Sequence, residues 1–541
     1  MLVRPPLKIW IALVAIVSIG LFAGVGCTDT TPGSGGANGQ NDGENQTNND
    51  NDGNNDQNIN TTPNASNDND GNNDSNNDSN NDTEPPCQNY ECDQVECDDG
   101  QTTSLTGTVH IPSGQLPLPN ANVYVPNDDL EPVEEGVSCQ RCDEILTGDP
   151  LVETTTDYQG NFELNNIPVT NDVPLVIQSG SWRRVVELSS VDECQENTVS
   201  DPDKLRLPRN RDEGDIPNIA VTTGGWDALQ CLTYDIGLDD SEFGLPGEDT
   251  AVTIYNNGGS TAYSAEFGGQ QFPSADELWG DISSLQNYAV MLFSCSGGTG
   301  DAAVLEEYVD QGGRVFMTDL QKAWLEFGTD NFQNVATWDG EEPWSDEDGH
   351  VDTSFADGQT LYDWLGHVGA LDQNGFLPLR DVVHQIGSVN EELATRWIYS
   401  DSGAGQQEHY FDFHTPVGEE EENQCGRVVY SDLHVVAAGD ATPSGEFPNN
   451  CGSGDPAGQE QALLYMLFDL SGCVEPDCSE MGEGCKHDGD CCTPLWCDDE
   501  SGDYVCTDRC RTDGERCSEN SDCCSEACDL GGGDEGTCVP A

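Results

Sequence analysis

Four side chains with reactive or ligating chemistry close apolar runs in the middle of this chain. Cys295 ends Tyr288-Ala-Val-Met-Leu-Phe-Ser-Cys295, Asp319 ends Arg314-Val-Phe-Met-Thr-Asp319, and Asp432 and His434 end Arg427-Val-Val-Tyr-Ser-Asp-Leu-His434. A thiol becomes a nucleophile when a base within hydrogen-bond reach takes its proton and backbone donors await the oxyanion. An Asp and a His two residues apart can form an acid–base pair or hold a cation. Each group also has a quieter reading: Cys295 as a small buried hydrophobe or a disulfide partner, Asp432 as a turn cap, His434 as a half-buried imidazole. A second set is acidic. Asp339, Glu341, Glu342, Asp346, Asp348 and Asp352 follow Trp338 and surround Gly349. Oxygen donors about a glycine suit calcium, with Asp346, Asp348 and Asp352 as candidates; a solvated surface insertion has the same composition. None of the eight histidines pairs at the helical spacing of a zinc hydrolase, and no Gly loop with Lys is present to cradle phosphate. No cofactor is expected, with calcium as a possible ion.

Strand ends are where an open α/β sheet presents such groups, and residues 213–473 have that rhythm. Strands apolar on both faces run through Ile219, Val252, Val290, Val315 and Val428; helical patterns cover Val304–Asp310, closed by Gly312-Gly313, and Gln459–Phe468. The alternation predicts a mainly parallel, flavodoxin-like α/β sheet. Cys425 and Cys451 flank a long loop near its end and are expected to bridge. The segment resembles the class I glutamine amidotransferase-like fold, on Ser294-Cys295-Ser-Gly-Gly, the helix after it, and Tyr308-Val-Asp-Gln-Gly-Gly-Arg-Val-Phe316. That resemblance implies a nucleophilic Cys on the sharp turn after the strand that follows Gly-Gly-Arg. Here the strand ends Met317-Thr318-Asp319-Leu320-Gln321, and Cys295 lies one strand earlier. The expectation is therefore no catalytic residue of the family's kind, with Cys295, Asp319, Asp432 and His434 as weak candidates.

Before this segment, residues 102–192 read as all-β. Short alternating runs such as Ala121-Asn-Val-Tyr-Val125 and Gly160-Asn-Phe-Glu-Leu164 are punctuated by Gly, Pro, Asn and Asp. Gly107-Thr-Val, Leu118-Pro-Asn-Ala-Asn-Val and Thr156-Asp-Tyr-Gln-Gly-Asn-Phe162 resemble the carboxypeptidase regulatory-like, transthyretin-type β-sandwich. The resemblance makes Gly160 a turn residue and Phe162 a core residue, and it spans 87–212 with a short Cys-rich lead at Cys87, Cys92 and Cys97. A disulfide is expected among Cys139, Cys142 and Cys194.

The ends of the chain speak of location. Arg4 and Lys8, an apolar run to Val25 and small residues before Cys27 read as an export signal over 1–26. Cys27 resembles the lipid-attachment cysteine of a bacterial lipoprotein. By that resemblance the protein is anchored in the membrane by lipid, and Thr28 directs it to the outer membrane or cell surface. Residues 27–86, rich in Asn and Asp, have no apolar period and predict a disordered linker. The formal net charge of −83 repels phosphate backbones, so nucleic acid is not an expected partner.

Residues 474–541 contain two cysteine-rich units, Cys478-x6-Cys485-x5-Cys491-Cys492-x4-Cys497-x8-Cys506 and Cys510-x6-Cys517-x5-Cys523-Cys524-x3-Cys528-x9-Cys538. Each is too short for a self-sufficient core and calls for disulfides, for which spacing alone allows fifteen arrangements per unit. The units resemble tandem knottins. The resemblance implies Cys478–Cys492, Cys485–Cys497, Cys491–Cys506, Cys510–Cys524, Cys517–Cys528 and Cys523–Cys538. Setting aside Cys27 and these twelve leaves eleven of the 24 cysteines, so at least one is free or paired outside its domain. The whole reads as a multidomain surface lipoprotein that binds a polysaccharide or envelope protein without catalysis. The alternative is an extracellular hydrolase or sugar-processing enzyme working at the α/β strand ends.

Overall fold

The computed structural model describes residues 87–472, apart from 99–100, 142–144, 340–344, 403–404, 420–422, 436–441 and 453–457, and the backbone of five short strands between 496 and 538. Every described residue belongs to one compact unit, Pro86–Ala541. The expectations for the leader, Cys27 and the linker lie outside the described residues, as do the side chains on which the six terminal cysteine bridges rest. Within the terminal units, Trp496–Asp498 pairs antiparallel with Val505–Thr507, setting Cys497 opposite Cys506. Cys528–Asp529 pairs with Gly536–Cys538, setting Cys528 opposite Cys538. Among the described residues no helix is long and apolar enough to cross a membrane.

Two sheets build the first module. Strands β1 (Ser104–Thr108), β4 (Asn161–Leu164) and β7 (Glu196–Val199) form one, in the order β4-β1-β7. Strands β2 (Asn122–Pro126), β3 (Pro150–Thr155), β5 (Val173–Ser179), β6 (Trp182–Leu188) and β8 (Gly214–Asp215) form the other, in the order β3-β2-β5-β6-β8. The turn into β4 follows from its residues. Asp157 Oδ1 accepts from the amides of Gln159 and Asn161, both at 2.8 Å. Gly160 holds φ at +76° with the Val109 carbonyl 2.5 Å from where a Cβ would stand, so only glycine fits. Phe162 then points into the core.

A ten-stranded sheet follows, in the order Phe243–Gly244, Val252–Tyr255, Ile219–Thr222, Val290–Phe293, Arg314–Thr318, Gly426–Ser431, Gly405–Thr415, Thr395–Ser402, Ser345–Val351 and Leu377–Val382. Its first six strands are parallel: β9 (Ile219–Thr222), β10 (Phe243–Gly244), β11 (Val252–Tyr255), β13 (Val290–Phe293), β14 (Arg314–Thr318) and β21 (Gly426–Ser431). The short strand β12 (Ala262–Tyr263) pairs with Glu446–Phe447, and β15 (Ala336–Trp338) with β18 (Ile386–Val389). The last four strands are antiparallel: β16 (Ser345–Val351), β17 (Leu377–Val382), β19 (Thr395–Ser402) and β20 (Gly405–Thr415). The expected parallel sheet is thus present in six strands, and four antiparallel strands extend it into a mixed sheet. Its antiparallel half arises from sequence that reads as polar surface.

The two modules share one hydrophobic core rather than meeting across water, since Leu105, Val123 and Trp182 belong to the same buried cluster as Val221, Leu361 and Phe468. The helix Gly458–Ser471 fills the space between them and is buried on nearly every side; Phe468 packs on Trp182 with ring centroids 5.7 Å apart. Trp364, on the helix Ala356–Val368, donates its indole N–H to the Pro117 carbonyl at 2.9 Å.

The disulfides reinforce this joining and correct two expectations. Cys425 pairs with Cys139, and Cys451 with Cys231, so the expected Cys425–Cys451 bridge does not form. The reason is strand length: β21 begins directly after Cys425 and carries the chain about 20 Å across the sheet before it turns towards Cys451. Cys194 pairs with Cys97, and Cys87 with Cys92, so Cys139 and Cys194 each find a partner outside the expected trio with Cys142, which itself lies outside the described residues. Cys295 is the free cysteine among the described residues.

Candidate functional site at the strand ends

The carboxyl ends of β9, β13, β14 and β21 converge, and with them the side chains that sequence alone places at strand ends. Asp319 is the hub. Its Oδ2 accepts from the Cys295 thiol at 3.0 Å and lies 3.1 Å from His434 Nε2, while Oδ1 accepts from Gln385 Nε2 at 2.5 Å. Asp319 follows β14 directly, at the turn where the amidotransferase-like resemblance calls for a nucleophile. It holds φ at +46°, the left-handed region that Asp tolerates better than most residues. The sharp turn is present, and a carboxylate occupies it.

A second carboxylate layer lies behind the first. Asp432 accepts from Tyr430 Oη and the Gln385 amide, both at 3.0 Å. Asp227 accepts from Thr318 Oγ1 at 2.7 Å, from the Val435 amide at 2.9 Å and from the Ala228 amide at 2.7 Å. Gly224 lets the loop after β9 lie against the Cys295 backbone, whose carbonyl would stand 2.3 Å from a Cβ. Cys295, Asp227, Asp432 and His434 are at most 1% exposed, and Asp319 is 4% exposed. Trp324 is buried beside Phe293, and its indole N–H bonds Gln321.

Burial dominates the electrostatics. It would raise Asp319, but the His434 hydrogen bond and charge, with the Cys295 and Gln385 bonds, hold its carboxyl below the usual range. Asp432 is pushed up to about 8, chiefly by burial, and Asp227 is raised for the same reason. Burial would lower His434, yet its bond to Asp319 and the charges of Asp227, Asp319 and Asp432 carry it upward. The Cys295 thiol is driven far above its ordinary value by burial first and the Asp319 charge second.

This arrangement differs from an activated thiol in one decisive respect. A thiol nucleophile hands its proton to an imidazole that is oriented by a carboxylate. Here the carboxylate stands in the middle, between thiol and imidazole, and suppresses the thiolate. The sulfur, oxygen and nitrogen donors of Cys295, Asp319 and His434, all within 4.8 Å of one another, form a ligand set of the kind zinc uses.

The acidic run beyond Trp338 behaves differently from a calcium loop. Asp346, Asp348 and Asp352 do not converge: Asp346 and Asp348 face solvent from one side of β16, Asp346 accepts from the Asp381 amide at 3.2 Å, and Asp352 pairs with Arg396 at 2.5 Å. Asp339 lies at the end of β15, while Glu341 and Glu342 lie outside the described residues. Sequence reasoning missed Asp227 and Gln385, and also Glu347, His384 and His409, which do converge. The available signal was the alternation in Ser345–Val351, which turns Glu347 to the face opposite Asp346 and Asp348.

No family model and no curated protein matches the chain. Among solved structures, a ThuA-like protein from Bacteroides uniformis aligns at 8% identity and TM-score 0.26, over 47% of this chain and 90% of that one. A type II cohesin–X-dockerin complex from Acetivibrio cellulolyticus aligns at 10% identity and TM-score 0.14, over 26% of this chain and 75% of that one.

Proposed function

We propose that this protein is an exported lipoprotein, held at the outer membrane or cell surface through Cys27, whose folded body binds a polysaccharide or envelope protein rather than catalysing a reaction. In this reading residues 27–86 are the tether, 87–212 a carboxypeptidase regulatory-like sandwich, 213–473 an amidotransferase-like domain without its nucleophile, and 474–541 two knottin-like units. The carrying observation is Asp319 at the turn after β14, with both carboxylate oxygens engaged and Cys295 hydrogen-bonded to it rather than to an imidazole. Trp226, 60% exposed on the loop after β9, supplies an aromatic face of the sort that meets a sugar ring or an interface side chain.

A hydrolase is the second reading, favoured by the convergence of Cys295, Asp319 and His434 at one point. One experiment separates the two. Oxidised full-length protein and its Cys295→Ala variant are tested for binding to a polysaccharide panel and envelope fractions, and for turnover of ester, amide and glycoside substrates. Saturable binding shared by both proteins, weakened by Trp226→Ala, is the expected result. Turnover that Cys295→Ala abolishes overturns the non-catalytic reading and establishes the hydrolase.

A further inference from the structure

A second constellation lies on the antiparallel half of the large sheet. Glu347 of β16, His384 between β17 and β18, and His409 of β20 bring one carboxylate and two imidazoles together, their donor atoms all within 4.8 Å. His384 Nε2 stands 2.7 Å from Glu347 Oε1, and His409 Nε2 stands 3.4 Å from Oε2. Both rings present the same nitrogen to the same carboxylate. Two hydroxyls complete the surround: Ser345 Oγ donates to Glu347 Oε1 at 2.8 Å, and Ser400 Oγ lies 2.8 Å from His409 Nε2 and bonds Glu347.

The backbone departs from regular pairing at this spot. Neighbouring residues Ile398 and Tyr399 of β19 face Tyr410 and Glu408, so His409 is the extra residue of a bulge in β20. The pairing of β16 with β17 also slips between Ser345 and Glu347, close to where His384 leaves the sheet. Bulges re-aim side chains at the expense of ladder hydrogen bonds, and here both departures serve one cluster. His409 is fully buried, whereas the side chains of Glu347 and His384 are 16% and 17% exposed, leaving an approach from solvent.

We propose that Glu347, His384 and His409 form a binding site for a divalent transition metal of the zinc class. The two ring centroids stand 5.5 Å apart, with both Nε2 atoms turned to the one carboxylate. A dication seated between them takes both Nε2 atoms and the carboxylate as ligands. Donors at about 2.0–2.1 Å from a tetrahedral zinc stand about 3.3 Å apart, so small adjustments of the present separations close the site. Two nitrogens and one carboxylate select zinc, cobalt or nickel over calcium, which takes six to eight oxygens. Three protein ligands leave a fourth position to water. His384 immediately precedes Gln385, which bonds both Asp319 and Asp432, so the metal would sit one residue from the strand-end network.

The test uses untagged, oxidised, full-length protein stripped with a chelator and titrated with Zn(II) and Co(II). Stoichiometric uptake is expected, with Co(II) giving visible ligand-field bands but no thiolate charge-transfer band. Loss of an outer-shell partner alone weakens such sites about 10–100-fold, so Glu347→Gln and His384→Ala should each weaken binding by more than about 100-fold. Both should keep the wild-type circular dichroism, and Cys295→Ala should bind as wild type. Absence of stoichiometric uptake by the wild-type protein overturns the proposal without recourse to any variant. So does undiminished binding by Glu347→Gln, or a cobalt spectrum with a thiolate band that Cys295→Ala removes.

Discussion

Replacing Asp319 by Asn should unlock the Cys295 thiol, and the size of the effect follows from the geometry. The Asp319 Oδ2 to Cys295 Sγ separation is 3.0 Å. At an effective dielectric of about 20, two unit charges that close repel by about 5 kcal/mol, or about four pH units of thiolate suppression. His434 and Gln385 bind the same carboxylate and offset part of its field, so about half should be recovered on neutralisation. Asn accepts the left-handed backbone of position 319 and still accepts from Gln385, which makes the change local. The expected outcome is alkylation of Cys295 by iodoacetamide at least about 100-fold faster in Asp319→Asn than in wild type, followed by peptide mass spectrometry in native buffer. His434→Gln is the control. It disturbs the same cluster but leaves the carboxylate's field less compensated, so the thiol should react no faster than wild type. Equal rates in Asp319→Asn and wild type would show that exclusion from solvent alone silences the thiol. A native wild-type rate matching that of denatured chain would refute the sealed centre altogether.

Three further outcomes test other parts of the structure. Glu213 accepts from Arg206 Nη1 and Nη2 at 2.6 and 2.8 Å, and the Arg206 bond holds its carboxyl down at about 2. Because the folded value lies below the unfolded one, the stabilisation is complete above about pH 5 and is lost as pH falls towards 2; with the side chain 27% exposed, Glu213→Gln should cost about 2–3 kcal/mol at pH 7 and about 1 kcal/mol at pH 3 in chemical denaturation with disulfides intact. Arg427 bonds Asp412 at 2.5 Å and Asp469 at 2.7 Å in the interior, so Arg427→Met leaves two buried carboxylates without their cation and should lower stability by about 3–5 kcal/mol, read by calorimetry. Non-reducing peptide mapping should recover Cys139–Cys425 and Cys231–Cys451 and no Cys425–Cys451 peptide, and the double change Cys139→Ser, Cys425→Ser should cost no more than about 5 kcal/mol.

The parallel half of the large sheet was legible because its strands are buried on both faces. Ile219–Thr222, Val252–Tyr255 and Val290–Phe293 are apolar runs that nothing but a covered sheet accommodates. The antiparallel half was not legible, because its inward face is partly polar. Gly405–Thr415 reads Gly-Gln-Gln-Glu-His-Tyr-Phe-Asp-Phe-His-Thr, and Ser345–Val351 carries three acids in seven residues, compositions that otherwise mark surface insertions. Disulfide partners were illegible for a different reason. Separations of 97, 220 and 286 residues are set by the tertiary fold, on which cysteine spacing is silent.

The candidate sites divide along the same line. Cys295, Asp319, Asp432 and His434 were identifiable because topology brings parallel strand ends together wherever such a sheet forms. Asp227 and Gln385 were not: Asp227 stands just ahead of the helix Leu229–Asp235, where the helical pattern says nothing of a site, and Gln385 reaches the centre from a loop. Glu347, His384 and His409 come from three segments whose pairing depends on two departures from regular register, and no local pattern announces those. Yet these polar residues carry a physical implication. A well-packed apolar set folds as well as a buried polar one, and often better. A fully buried His409 held by a bulge, and a carboxylate shared by two imidazoles, are therefore poorly explained by stability alone. Leu or Val at those positions would serve fold stability; the two imidazoles and the carboxylate are the groups the proposed metal would bind, so the metal titration bears on the antiparallel strands rather than on the strand-end centre.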